Sequence, residues 1–208
     1  MVKNENIIRV RLTTIDEILG SQPNDKEIYS TYIASKAPDA PTMEQEIEAF
    51  GTVEVDEKGM TVFARNEDGT PCLYNYQIKG FFKAACQALR KVEGTASSKV
   101  KAFKKLIDQG IFVYADFDQP QGRYIPISFE GEIGICQRPL RASTPQGERV
   151  ALASSESIPA GATLEFDIYC FNKSDLKLVR EWLDYGRFNG LSQWRNSGKG
   201  AFVWEEVE

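Results

Sequence analysis

The pattern of apolar and polar positions opens with IIRVRLTT, where Ile8, Val10 and Leu12 alternate with Arg9 and Arg11. A period of two predicts a half-buried strand. A period near 3.6 takes over in YQIKGFFKAACQALRKV, where Ile78, Phe81, Phe82, Ala85, Cys86, Leu89 and Val92 fall on one helical stripe. SSKVKAFKKLIDQG predicts a second helix, N-capped by Ser97 or Ser98 and ended by Gly110. Its Val100, Phe103, Leu106 and Ile107 point inward, while Lys99, Lys101, Lys104 and Lys105 spread outward as mainly solubilising charges. IFVYADF and RYIPISFEGEIGI read as strands. RVALASSESIPAGATLEFDIYCF reads as a strand pair joined through Ile158–Pro159–Ala160–Gly161. Leu164, Phe166, Ile168 and Cys170 alternate there with Glu165, Asp167 and Tyr169, which buries one face. Ser174 is placed to cap a last helix with Leu176, Val179, Trp182 and Leu183 inward, and AFVW closes the pattern as a strand.

Between the first strand and the first helix the pattern weakens. PTMEQEIEAF predicts a short helix with Thr42 and Gln45 spaced as a capping box. TVEVDEKGMTVFARNEDGTP predicts a hairpin turning at Glu57–Lys58–Gly59, then an NEDG turn. No Pro/Gly/Ser linker isolates residues 15–75, so the block reads as an acidic insertion projecting from a single domain spanning 1–208. Strand, insertion, helix, strands, helix and strand in that order predict an α+β fold. The expected core is ferredoxin-like β-α-β-β-α-β, with an antiparallel sheet, two core helices and large insertions.

Charge changes this picture more than composition does. The net charge is −5, yet residues 1–75 hold 7 Lys/Arg against 14 Asp/Glu while residues 76–149 hold 12 against 7. A basic middle beside an acidic first third suits a protein with one basic face, or head-to-tail contacts between copies. Off the buried stripe of the first helix, Lys79, Lys83 and Arg90 recur at near-helical spacing with Gln87, as a row of phosphate contacts would. Arg138 and Arg141 in QRPLRAS extend the track. Histidine is absent, which removes the commonest general acid–base group and metal ligand. The four cysteines are far apart with no C-x-x-C pair and read as small core hydrophobes. No apolar run approaches the ~20 residues of a membrane span, and MVKNENIIRVRL lacks a signal-peptide core, so a cytoplasmic protein is expected.

The chemistry-bearing segment is RFNGLSQWRNSGKGAFVW, just after the last helix. Gly186, Gly190, Gly198 and Gly200 sit there among Arg187, Trp194, Arg195, Asn196, Ser197 and Lys199. Glycines let backbone N–H groups turn toward an anion, the cations attract phosphate, and the indole offers a stacking face.

Two segments carry a family resemblance. LYNYQIKGFFKAACQAL resembles the strand-to-helix segment of the RAMP superfamily, whose members often carry I-P-G-S-S-x-K-G. Tyr74, Tyr76 and Gln77 replace its proline and serines, while Lys79 and Gly80 remain. GRFNGLSQWRNSGKGAF resembles that superfamily's glycine-rich loop, and ESIPAGATLEFDI the strand pair before it; together they cover most of residues 73–208. The superfamily includes crRNA-binding backbone subunits of CRISPR effector complexes and guide-processing endoribonucleases. The resemblance implies a modified RNA-recognition-motif core that holds RNA with the helix face and the glycine loop. It also implies a stand-alone relative, phage- or mobile-element-encoded. Processing members usually cleave with a histidine, absent here. Where some backbone subunits place a cleaving Asp, this chain has Lys58 and Gly59, with Asp56 nearby.

The resulting expectation is a non-catalytic RNA- or single-strand-binding protein. Its site comprises Lys79, Gly80, Lys83, Arg90, Arg138, Arg141, Arg187, Gly190, Trp194, Arg195, Asn196, Ser197, Gly198, Lys199 and Gly200, with no cofactor and no metal. The alternative is an interaction or assembly protein on the same scaffold, binding copies of itself or CRISPR effector subunits. A third reading is a carboxylate-metal nuclease using Asp56, Asp68, Asp116 and Asp118, the last two flanking Phe117 at strand spacing.

Overall fold

A computed structural model of the chain describes residues 4–24, 60–119, 122–144 and 147–207. The helix expected in PTMEQEIEAF, the turn at Glu57–Lys58–Gly59 and Asp56 lie outside the described residues. The chain divides into two compact units, one formed by residues 1–18, 64–132 and 158–208, the other by residues 19–63 and 133–157.

The first unit is built on a four-stranded antiparallel sheet. Strand β1 (Ile7–Thr14) has the alternating burial its sequence predicts, and it pairs with β11 (Thr163–Cys170) and β12 (Phe202–Val207). Strand β7 (Ile111–Tyr114) pairs with the far side of β11, giving the order β12-β1-β11-β7. Helix α1 (Asn75–Leu89) lies in the chain between β1 and β7, and helix α3 (Leu176–Asp184) between β11 and β12. Val10, Leu12, Leu164, Phe166 and Ile168 form the buried face of the sheet. From α1, Phe81 meets Phe202 edge-on at 5.2 Å and Phe82 lies 5.6 Å from Trp182 of α3. All four rings are almost fully buried, and each large apolar side chain removed from water contributes about 1.5–3 kcal/mol. The opposite face carries ion pairs in register: Arg9 with Asp167, and Arg11 with Glu165 and Glu205.

A second, three-stranded sheet, β5 (Ala64–Arg65), β6 (Pro71–Tyr74) and β8 (Tyr124–Pro126), belongs to the same unit. The NEDG turn joins β5 to β6 as expected. Asn66 Oδ1 accepts from the N–H groups of Asp68 and Thr70, and Gly69 supplies φ +78°. Strand β6 runs straight into α1, where Gln77 Oε1 accepts the Tyr74 N–H at 2.7 Å.

In the second unit, β10 (Gly147–Ile158) pairs with β9 (Gly134–Thr144) over their whole length and also with β4 (Thr61–Val62). Strand β3 (Gln22–Pro23) completes the sheet from β4, and β2 (Ile18–Leu19) leads in beside β10.

Several elements differ from the sequence pattern. Helix α1 stops at Leu89, so Val92 ends 51% exposed instead of completing the stripe. Residues 97–110 are not one helix. A 3-10 turn at Ser97–Lys99 precedes helix α2 (Phe103–Gly110), and Ser97 is wholly buried rather than a cap. Glu181 of α3 explains this, because its carboxylate accepts from the N–H groups of Ala96 and Ser97 and from the Ser97 hydroxyl. The Trp182 indole donates to that same hydroxyl at 2.9 Å. Ser174 lies inside a 3-10 turn (Lys173–Asp175) and does not cap α3. The strands β10 and β11, expected as a pair, go to different sheets. The strand expected across RYIPISFEGEIGI divides into β8, an isolated bridge from Ser128 to Thr163, a bend, and the start of β9 at Gly134. Cys72, Cys86 and Cys170 are buried thiols and Cys136 is half-buried. Among the described residues, no helix is long and apolar enough to cross a membrane.

Candidate nucleic-acid interface

Helix α1 buries Ile78, Phe81, Phe82, Ala85 and Cys86, which turns Tyr76, Gly80, Lys83 and Gln87 outward at positions i, i+4, i+7 and i+11. Tyr76, 60% exposed, stacks on Tyr74 at 5.1 Å, and Tyr74 lies 5.1 Å from Tyr124. Gly80 is exposed, and a Cβ there would meet nothing within 4 Å. The predicted cations on this helix are not equally available. Lys83 Nζ lies 2.6 Å from the Asp108 carboxylate of α2. Lys79 Nζ donates to the Asp108 carbonyl at 3.0 Å and lies 5.3 Å from the Phe112 ring. Burial pulls the Lys79 ammonium below its ordinary pKa, against the opposing pull of Asp108. Arg90, just past the helix, is exposed with its guanidinium 5.4 Å from the Phe103 ring.

The loop between α3 and β12 is glycine-rich mainly for packing. A Cβ at Gly186 would enter the Phe202 ring, one at Gly190 would enter the backbone of Gly200 and Ala201, and one at Gly200 would enter the Leu191 carbonyl. Gly198, at φ +88°, is the residue of this set whose Cβ would meet only ordinary contact, the Asp16 Oδ2 at 3.6 Å, so its left-handed backbone rather than packing favours glycine. The backbone N–H groups of Leu191, Ser197, Gly198, Gly200 and Ala201 all donate to carbonyls of the protein itself. The expected cradle of anion-facing N–H groups is therefore absent at these five positions; the loop spends them on its own fold. Ser197 Oγ donates to the Trp194 carbonyl, and Lys199 sits between Asp16 (3.1 Å) and Glu17 (2.7 Å). Those carboxylates, Glu17 first, raise the Lys199 pKa. Trp194, half-buried, and Ser192 hold left-handed φ values of 58° and 65° without being glycine, so the loop stores backbone strain. What it presents outward is Arg187, Asn196 and Phe188, the last 75% exposed, with Arg195 half-exposed.

Arg138 and Arg141 lie on β9 of the second unit, opposite Ala153 and Val150. Burial pushes the Arg138 guanidinium down to about 10. The remaining predicted site residues belong to the first unit.

Asp116 and Asp118 are not on a strand. Strand β7 ends at Tyr114, and Asp116 Oδ1 accepts the Asp118 N–H at 2.9 Å in the following turn. Asp68 is exposed in the turn before β6. Among the described residues, no group of three or more Cys, Asp or Glu side chains is placed to hold a metal ion.

Sequence reasoning missed Tyr76 and Phe188 as exposed rings. Tyr76 lies off the apolar stripe of α1, where an aromatic residue at a polar position was the available signal, and Phe188 lies in the loop after α3, where no periodicity marks it. No family model matches the chain, and no curated protein matches it. Among solved structures, the chain is similar to one described as the cryo-EM structure of the Type III-B Cmr-beta bound to cognate target RNA. The identity is 12% and the TM-score 0.48, over 97% of this chain and 58% of that one.

Proposed function

We propose that the protein is a non-catalytic single-stranded nucleic-acid-binding protein of the RAMP type, with RNA as its ligand. The observation that carries this reading is the outer stripe of α1. It offers an exposed ring, a glycine that packing does not require and an amide, beside the Lys83–Asp108 pair, along a helix about 22 Å long. A bare Gly80 lets a sugar–phosphate backbone approach the helix closely, and Tyr76 gives an unpaired base a face to stack on. Arg187, Arg195 and Phe188 of the glycine-rich loop supply a second set of contacts of the same kind. The order β12-β1-β11-β7, with α1 and α3 as its crossovers, supports a ferredoxin-like core of the RNA-recognition-motif type. The superfamily resemblance itself rests on the retained Lys79–Gly80 pair and the glycine-rich segment of the sequence.

The test is titration of the purified chain against labelled single-stranded RNA, single-stranded DNA and duplex RNA across a salt series, with and without Mg²⁺. The expected result is micromolar or tighter binding to single strands, weakening steeply with salt, with no cleavage. Absence of binding at low salt overturns the reading. A second reading, a protein-interaction module on the same scaffold, is favoured by one observation. Ile135, Pro139 and Leu152 are all exposed on one face of the β9–β10 pair, with Leu152 directly opposite Pro139. Self-association measured by sedimentation, lost in Ile135→Ser/Leu152→Ser, would support it.

A further inference from the structure

A groove of about 440 Å³ opens between the end of α1 and the start of α2, lined by Gln87, Arg90, Lys91, Phe103 and Lys104. Three of these residues are cations and none is a carboxylate. Lys83 and Lys199 each sit within 3 Å of a carboxylate oxygen, whereas among the described residues no ion pair engages Arg90, Lys91 or Lys104. The buried Phe103 ring lies under the Arg90 guanidinium, which favours one position for that charge. Like charges around one concavity repel each other, and a recess lined by a single sign focuses the field on whatever enters it. Such an arrangement is relieved by a polyanion. The volume exceeds what one phosphate needs, and Gln87 adds an amide at the edge.

We propose that this groove binds a run of adjacent phosphates. That chemistry is shared by the backbone of a nucleic-acid strand and by a free nucleoside triphosphate. Naming the strand as its source rests on the nucleic-acid reading above; the capture of phosphates does not. Lys104, which the sequence pattern presents as a solubilising charge, becomes a ligand contact together with Lys91.

The experiment follows backbone amide shifts of the ¹⁵N-labelled full chain by NMR. Inorganic tripolyphosphate is added first and, separately, a single-stranded oligouridylate. Both are expected to move the amides of Gln87, Arg90, Lys91 and Lys104. In Lys91→Glu/Lys104→Glu these shifts are expected to vanish. Oligouridylate affinity should fall at least tenfold, and the salt slope by about 1.4 for two lost single-strand contacts. Thermal melting confirms that the variant is folded, and Lys91→Gln/Lys104→Gln repeats the test should it melt early. Shifts with tripolyphosphate alone uphold the groove and remove the strand as its ligand. Oligouridylate binding that leaves these four amides unmoved overturns the groove while sparing the nucleic-acid reading. Silence with both probes overturns both.

Discussion

A Cβ added at Gly80 would meet open space, and the residue sits inside α1, where glycine costs about 1 kcal/mol relative to alanine. A residue that weakens its own helix without easing any packing is most simply explained by something outside the chain. Gly80→Ala is therefore expected to raise Tm by about 1–4 °C, and Gly80→Gln to fold as well as the native chain. Both are expected to lose RNA affinity, the larger side chain more. Melting curves beside fluorescence anisotropy check this, and undiminished binding by Gly80→Gln would count against a strand crossing the helix there. Gly190 and Gly200 behave oppositely: their glycines are demanded from within, and neither needs a ligand to explain it. Cys170 gives a chemical prediction. Burial, then the Asp175 carboxylate, pushes its thiol from 9.0 up to about 12. The folded state thus holds the thiol neutral while the unfolded chain would ionise it. The resulting stability is intact below pH 9 and declines as pH climbs from there toward 12. At pH 8 iodoacetamide is expected to modify half-buried Cys136 first and to leave Cys170 untouched until the chain unfolds; mass spectrometry of the alkylated peptides reads the order.

At the scale of elements, the Glu181–Ser97–Trp182 set joins α3 to the turn that precedes α2. Glu181→Ala strands two backbone N–H groups and a hydroxyl, and is expected to cost about 2–3 kcal/mol. That corresponds to a fall in Tm of roughly 4–12 °C, measured by circular dichroism. This set also shows what the sequence could and could not disclose. The stripe of α1 and the alternation of β1 were legible because each is a local period imposed by one buried face. The break between Ser97 and Phe103 was not, since its cause is a glutamate 84 residues away from Ser97. The pairing of Lys83 with Asp108 was hidden for the same reason. Consecutive apolar runs in β10 and β11 look like a hairpin, but which sheet a strand joins is decided by partners elsewhere in the chain. Of the candidate site, residue types were readable and their availability was not: Lys199, Ser197 and the loop N–H groups turned out to be occupied by the protein itself.

For the molecule as a whole, the net charge of −5 conceals a local excess of cations. Residues 90–105 carry Arg90, Lys91, Lys99, Lys101, Lys104 and Lys105 against Glu93 alone. Association with RNA is accordingly expected to depend on salt far more than the overall charge would suggest, because screening acts on the nearest charges. The order β12-β1-β11-β7 has a further consequence, in time rather than space. Strand β1 spans residues 7–14, yet its partners are residues 163–170 and 202–207. During synthesis at about 5–20 residues per second, β1 waits roughly 7–30 s before β11 emerges. Throughout that interval it is an apolar strand with both edges open, the kind of segment that aggregates. Arg9 and Arg11 interrupt it. Their carboxylate partners Glu165, Asp167 and Glu205 arrive only with the strands that close the sheet. The same two arginines thus guard the nascent chain first, and find their ion pairs at the moment protection is no longer needed.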